Sequence, residues 1–126
     1  MSKAVNILCL ILATCLGLLD GTDNRMPPLE QAPPKEANRP NPYAGREEAR
    51  QAGEKLFRRE CAECHGRDAQ GSEHVPALAS SPRLRQAPPG AIFWLLRNGS
   101  LGRGMPSFSH LPEQRRWQIV TYLKTL

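Results

Sequence analysis

Apolar residues recur at the spacing of a helix from about residue 46 onwards. Within one stretch they occupy positions i, i+3, i+4, i+7 and i+8 and form a single stripe: Ala49, Ala52, Gly53, Leu56 and Phe57. Polar side chains fill the positions between them. This pattern predicts an amphipathic helix that begins near Arg46.

Two further helices are predicted downstream. One covers residues 89–96, because proline suits the first turn of a helix and the pair Asn98-Gly99 tolerates the left-handed backbone that ends one. The other runs from about residue 112 to the C-terminus, with an apolar stripe of Ile119, Tyr122, Leu123 and Leu126. No segment alternates between apolar and polar residues as a half-buried strand would. The predicted fold class is therefore all-α, with three or four short helices in a domain over residues 46–126.

The first 20 residues predict an export signal. Lys3 gives a basic end, and a largely apolar run follows over residues 5–19. As a helix this run would span about 22 Å, less than the roughly 30 Å hydrocarbon core of a membrane. A secretory signal explains it better than a spanning helix. The sequence Leu-Ala-Thr-Cys before and at Cys15 is similar to a bacterial lipoprotein cleavage box, so three alternatives stay open: lipidation of Cys15, ordinary cleavage, or an uncleaved anchor.

Residues 21–45 have a different composition. Half of the 12 prolines lie between Pro27 and Pro42. Proline removes backbone donors and favours extended conformations, so this stretch predicts a semi-rigid tether that spans about 80 Å when extended. A ligand for a proline-binding module is the alternative interpretation.

The predicted domain is too small to form a large hydrophobic core. A domain of this size buries little apolar surface and usually recruits a disulfide, a metal or a cofactor. Its loops over residues 66–89 and 99–111 are long and rich in glycine or proline. Such loops in a small domain predict that the chain wraps around something.

The sequence Cys61-Ala62-Glu63-Cys64-His65 follows the first helix directly. This C-x-x-C-H pattern is the attachment signature of c-type haem. One helical turn presents both thiols to the porphyrin edge for two thioether bonds, and His65 becomes the proximal iron ligand. The alternatives are a redox or structural cysteine pair and half of a zinc site. They are disfavoured because no strand precedes Cys61 and only two other histidines, His74 and His110, remain to complete a tetrahedral site. We therefore expect one covalent haem c.

A second iron ligand is expected in the late glycine-rich loop. Gly104-Met105-Pro106 presents a methionine where glycine allows a close approach to the porphyrin and proline stiffens the backbone. Met105 is the predicted ligand, and His110 is its nearby rival. Two histidines would lower the reduction potential, whereas a thioether raises it.

With these motifs, the chain resembles the class I monohaem cytochromes c over nearly all of residues 46–126. Gly53 and Phe57 stand eight and four positions before the first motif cysteine, and Ile119 and Tyr122 are similar to the apolar–aromatic pair of the family's last helix. The resemblance implies that the carbonyl of Pro76 accepts the Nδ1 proton of His65. It also implies a small cytochrome c fold wrapped around the haem.

The resemblance implies an electron carrier of the periplasmic side of a bacterial membrane and not an enzyme. We expect a monomeric haem domain, tethered or released, that exchanges one electron at a time with redox proteins of a respiratory or dehydrogenase chain. An apolar shell of Phe57, Leu78, Trp94 and Phe108 should raise the potential further. A haem-based gas sensor or a peroxidase-like enzyme is the alternative if Met105 is labile. Free shuttle and fixed subunit of a larger complex both stay open.

Charge adds little to this picture. Residues 46–126 hold 13 basic and 8 acidic side chains. The arginines of the predicted haem-wrapping loops, among them Arg67, Arg83, Arg85, Arg97 and Arg103, are expected to lie on a solvated surface, to bind haem propionates or to steer an acidic partner. Nucleic acid is excluded as a partner because there is no dense basic stripe with interleaved aromatic residues.

Overall fold

The computed structural model describes residues 28–126, and the predicted export signal, Cys15 and the first part of the predicted tether lie outside them. Within that range the elements are two 3-10 turns, Pro28–Gln31 and Leu101–Arg103, and six helices: α1 Pro34–Ala37, α2 Glu47–Glu60, α3 Ala62–His65, α4 Pro82–Gln86, α5 Pro89–Asn98 and α6 Glu113–Leu123. The only β-type pairing among these residues is an isolated bridge between Ser100 and Met105. The all-α prediction is confirmed for this part of the chain.

Helix α2 crosses α6 at a point where there is room only for glycine. A Cβ atom on Gly53 would collide with the backbone carbonyl of Gln118 and would lie 2.9 Å from Cβ of Tyr122. One helical turn further on, the ring of Phe57 lies 5.4 Å from that of Tyr122. The close crossing buries the apolar stripe of α2 and places the end of that helix, where the motif begins, against the core.

Helix α5 lies between α6 and the segment that precedes α2. Its buried Phe93 stacks on Trp117 of α6 with the ring centroids 4.0 Å apart. The C-terminal end of α5 is fixed at Gly99, whose φ of +70° is the left-handed backbone expected from the Asn98-Gly99 pair. From this end the chain enters the loop that contains Met105.

The described part of the predicted tether, residues 28–45, is folded against the domain, and we call this segment the strap. Leu29 and Tyr43 pack against the core cluster, and Asn41 donates a hydrogen bond of 2.9 Å to Oγ1 of Thr121. A Cβ atom on Gly90 of α5 would collide with the backbone carbonyls of Glu36 and Ala37. The strap therefore lies directly on α5 and α6, unlike the extended tether that its composition predicted.

The proline content of the strap does not prevent this folding. Pro34 is at the first turn of α1, where a missing backbone N–H removes no helical hydrogen bond. Beyond α1, the guanidinium of Arg39 lies 4.8 Å from the ring centroid of Phe93 and 5.5 Å from that of Trp117. The same side chain donates a 2.7 Å hydrogen bond to Glu113. Arg39 thus joins the strap to both α5 and α6.

No helix within residues 28–126 is both long enough and apolar enough to cross a membrane.

Candidate functional site

The motif forms one helical turn at the end of α2. The amide of Cys61 donates to the carbonyl of Phe57 at 2.8 Å, which ends α2, and the amides of Cys64 and His65 donate back to the carbonyl of Cys61 at 3.2 and 2.9 Å. Five consecutive residues thus place both cysteines and the histidine on one turn. This is the compact arrangement that the motif spacing predicts.

The two cysteines are free thiols in different surroundings. Cys61 is buried and Cys64 is exposed. Burial raises the pKa of the Cys61 thiol to about 12, and the neighbouring Glu60 and Cys64 contribute further. Both thiols are available for bonding to a haem vinyl group, since no disulfide joins them.

The half-buried imidazole of His65 is oriented by the backbone. Its Nδ1 lies 3.4 Å from the carbonyl oxygen of Pro76, as the family resemblance implies. A carbonyl can only accept, so Nδ1 carries the proton in this contact and Nε2 keeps its lone pair. Burial lowers the pKa of His65, and the contact with Pro76 opposes that shift in part. The lowered pKa favours the neutral form of the ring, in which Nε2 would be the nitrogen that binds a metal.

Gly71 holds the Pro76 carbonyl in place, a role that the sequence did not reveal. Its φ is +73°, and a Cβ atom on it would lie 2.5 to 2.8 Å from backbone atoms of residues 75–77. Its amide donates to the carbonyl of His65 at 2.7 Å. Gly71 therefore touches both the histidine and the segment that carries its acceptor. A glycine five residues before the proline is the one sequence feature that marks this contact.

Met105 lies in a loop that is pinned at both of its ends. Its backbone exchanges two hydrogen bonds with Ser100, at 2.9 and 3.1 Å, and the amide of Phe108 donates to the carbonyl of Leu96 at 2.8 Å. Gly104, with φ +79°, makes the turn before it. The Met105 side chain is half-buried and packs against the core cluster. The rival ligand His110 is exposed, with its ring 6.1 Å from that of Phe108.

Phe57 lies beside one of the two predicted iron ligands, His65. Its ring lies 6.5 Å from the His65 imidazole, and it belongs to the buried cluster on which Met105 packs. Of the other residues predicted for the apolar shell, Phe108 is buried in that cluster, Leu78 is half-buried against it, and Trp94 is half-buried. The motif turn and the loop that contains Met105 thus pack against the same apolar core.

The alternative of a zinc site is not supported by the arrangement of side chains. Across residues 28–126, no three histidine, cysteine, aspartate or glutamate side chains come together as a metal site. His74 is fully at the surface beside Glu73, 4.0 Å away. Two free thiols on one turn, an imidazole with Nδ1 at the Pro76 carbonyl and a loop thioether instead fit a haem that would be bound through the cysteines and ligated by histidine and methionine.

Comparisons with known proteins place the chain among c-type cytochrome domains. The family model described as cytochrome C oxidase, cbb3-type, subunit III matches residues 48–123. Among solved structures, the fold is similar to cytochrome CL from the marine methylotrophic bacterium Methylophaga aminisulfidivorans MPT, with 27% sequence identity and a TM-score of 0.56. That similarity covers 66% of this chain and 56% of the other, so the chain spans little more than half of that cytochrome's length. No curated protein matches the chain.

Proposed function

The chain belongs to the family described as cytochrome C oxidase, cbb3-type, subunit III, a family of c-type cytochrome domains, and on this basis we propose that it carries single electrons through one haem c held by Cys61 and Cys64. The family membership supports haem-based electron transfer in general terms. The covalent attachment, the pair of axial ligands and the cellular setting are our proposal.

One observation carries the proposal: the motif turn places a histidine whose Nδ1 faces the Pro76 carbonyl at 3.4 Å. That contact fixes the ring orientation and the tautomer that leaves Nε2 for iron. Neither a redox dithiol nor a structural disulfide requires an oriented histidine next to the second cysteine. A proximal haem ligand does require one.

Each site residue has a distinct role in this proposal. Cys61 and Cys64 would hold the haem through thioether bonds to its vinyl groups, while His65 through Nε2 and Met105 through its thioether sulfur would ligate the iron. When bound, the haem supplies a one-electron iron couple. Phe57 and Phe108 keep water from the ligands, which favours the less charged reduced iron. If His65 and Met105 both ligate the iron, no position would remain for oxygen or peroxide, which favours a carrier over a gas sensor or a peroxidase-like enzyme.

The setting that we propose is the periplasmic side of a bacterial membrane. The export signal predicted from residues 1–20 and the haem motif both support it, because c-type haem is attached outside the cytoplasm. The donor and acceptor are proposed to be redox proteins of a respiratory or dehydrogenase chain. The similarity to an oxidase subunit supports a fixed subunit, and the similarity to cytochrome CL leaves a tethered or free shuttle as the second arrangement.

The proposal is tested on the full chain produced in a bacterium that matures c-type cytochromes. We expect one haem per chain that survives denaturation, a mass increase of one haem, and a reduced spectrum that carbon monoxide does not change. Cys61→Ser/Cys64→Ser should lose the covalent haem, while His74→Ala should keep it. A chain that leaves this host without covalent haem, or a reduced spectrum that carbon monoxide changes at once, contradicts the proposal.

A separate measurement distinguishes a subunit from a shuttle. Purification from native membranes in mild detergent should retain a stable stoichiometric partner if the protein is a fixed subunit. Release of the haem-containing chain alone supports a shuttle.

A further inference from the structure

The 3-10 turn Leu101–Arg103 carries an unusually exposed apolar side chain. Leu101 is 77% exposed, and within residues 28–126 it is the only large hydrophobic side chain with such exposure. A single exposed leucine is ordinary on a protein surface, so its exposure alone indicates nothing. Its place is what distinguishes it, because the turn lies between Ser100 and Met105, which are paired through two backbone hydrogen bonds.

The sequence around this turn has charge of one sign only. From His74 to Pro112 the chain contains four arginines and neither aspartate nor glutamate. Arg83, the first of these, is 3.8 Å from Glu30 of the strap. Arg97 at the end of α5 and Arg103 in the turn itself are both exposed. Positive charge therefore flanks the Leu101 side chain on the Met105 side of the site.

The segment around the motif has the reverse charge. Residues 60–73, which include the motif, contain four acidic side chains and one arginine. Glu63, Asp68 and Glu73 are exposed there. If the two proposed ligands stand on opposite faces of the haem, its histidine face is acidic and its methionine face is basic.

The basic face is held rigidly. The hydroxyl of Ser107 donates a 2.6 Å hydrogen bond to the carbonyl of Arg97, and the Phe108 amide binds the preceding carbonyl of Leu96. The charge of Arg97 also acts on the buried Arg116: burial lowers the pKa of Arg116, Glu113 opposes this, and the charges of Arg97 and Arg39 lower it further. The guanidinium groups of Arg97 and Arg116 thus add to the same local positive potential. A rigid apolar tip within such a potential loses little conformational entropy when a partner covers it.

We propose that Leu101, Arg97 and Arg103 form the docking surface for a redox partner protein with an acidic rim around an apolar recess. The inference rests on the proposed function, because a docking surface beside Met105 matters only if electrons pass there. Arg97 and Arg103 steer the acidic rim, and Leu101 enters the recess. An anionic membrane is a different occupant and is treated as an outcome of the test.

The charge of the face is tested with small redox probes on the haem-loaded full chain. Reduced protein is mixed with hexacyanoferrate(III), an anion that takes one electron and becomes hexacyanoferrate(II). Arg97→Glu/Arg103→Glu should slow this reaction about tenfold at low ionic strength and accelerate the reaction with a cationic cobalt(III) complex, since local potential governs the encounter rate. Lys35→Glu/Lys55→Glu makes the same change in net charge at exposed sites on α1 and α2, and should alter either rate less than about twofold.

Equal slowing by the two double variants would show that only the net charge matters and would overturn the proposal. If the proposed function itself is wrong, the outcome differs: a chain without haem shows no absorbance change with any probe. The potential of each variant is measured as well, so that a change in driving force is separated from a change in encounter.

The contribution of Leu101 is tested with plastocyanin from a plant, a small acidic copper protein, as the electron acceptor. We expect Leu101→Ser to slow plastocyanin reduction several-fold and to leave the hexacyanoferrate rate unchanged, because only a protein surface covers the leucine. Unchanged plastocyanin kinetics overturn the role of Leu101. Binding to vesicles of phosphatidylcholine and phosphatidylserine that requires Arg97 and Arg103, without any salt-dependent reaction with plastocyanin, assigns the face to a membrane and overturns the proposal.

Discussion

Nδ1 of His65 lies 3.4 Å from the carbonyl oxygen of Pro76, 11 residues further along the chain. The acceptor belongs to the backbone, so no side-chain substitution removes it. The chain keeps the two groups together through Gly71, which binds the His65 carbonyl and touches the backbone of residues 75–77. The orientation of the histidine therefore depends on a glycine that is itself not a ligand.

Gly71→Ala should raise the reduction potential of the haem-loaded protein. The new methyl group would displace residues 75–77 and lengthen the His65–Pro76 contact. A weaker hydrogen bond from Nδ1 makes the imidazole a poorer electron donor and destabilises the oxidised iron. A redox titration measures the shift. Gly45→Ala is the matched control, because Gly45 has nearly the same φ, +74°, but nothing within 4 Å of its Cβ position. An equal shift in both variants would attribute the effect to backbone strain alone.

Met105→Ala should lower the potential and open a coordination position. Loss of a thioether ligand should change the potential by on the order of 0.1 V, within the roughly 0.8 V range that axial ligands cover. The reduced variant should then bind carbon monoxide. His110→Ala is the control, since His110 is exposed and should leave both the potential and the spectrum unchanged. If the two variants exchange these behaviours, His110 is the ligand.

Arg39→Ala should lower the free energy of unfolding by about 1–2 kcal/mol. The substitution removes a cation–π contact to Phe93 and Trp117, which contributes about 0.5–2 kcal/mol, and a largely exposed ion pair with Glu113, which contributes at most about 1 kcal/mol. Urea unfolding measures the loss. Arg58→Ala removes only an exposed ion pair with Glu54 and should cost less than about 0.5 kcal/mol. Similar losses in the two variants would mean that the aromatic contact adds nothing.

The Arg39–Glu113 contact should make stability depend on pH in acid. The hydrogen bond from Arg39, and then that from Trp117, hold the pKa of Glu113 below its ordinary value of 4.5. A carboxyl whose pKa is lowered in the folded state stabilises the fold fully above the ordinary value and loses this effect as the pH falls through the lowered one. The difference in unfolding free energy between the wild-type protein and Glu113→Gln should therefore be constant near neutral pH and shrink below about pH 4.5. A difference that stays constant in acid contradicts the assignment.

The main helices could be predicted from the sequence because the residues that they bury recur at helical spacing. The stripe of α2 contains the residues that the structure buries, Ala49, Gly53, Leu56 and Phe57. The start of α5 at Pro89 and its end before Gly99 followed from the backbone limits of proline and glycine. The turn α3 was predicted from the spacing of the motif, whereas the short helix α4 was not, because five residues carry too little periodicity to be recognised.

The candidate site was predictable where its chemistry is local. Cys61, Cys64 and His65 stand within five residues, and the structure places them on one turn. The position of Met105 in a pinned loop followed from its glycine and proline neighbours. The roles of Gly71 and of the residues around Leu101 were not predicted, since they depend on contacts across loops whose paths the sequence does not specify.

The strap was the largest difference between expectation and structure. Its prolines indicated an extended chain, but Arg39 finds its aromatic partners more than 50 residues away, on α5 and α6. No sequence feature near Arg39 predicts that contact. Composition indicates the conformation that a segment adopts in isolation. The conformation of the strap is instead determined by its tertiary contacts with α5 and α6.

The folded strap also limits how far an N-terminal anchor lets the domain travel. With residues 28–45 attached to the domain, only the seven residues between Asp20 and Pro28 remain to separate it from an anchor in the first 20 residues. Whatever their conformation, they span at most about 29 Å, roughly a third of the reach that the composition had indicated. An anchored form of this protein would thus search a shallow layer along the membrane, and a partner bound to the same membrane would meet it far more often than one in solution.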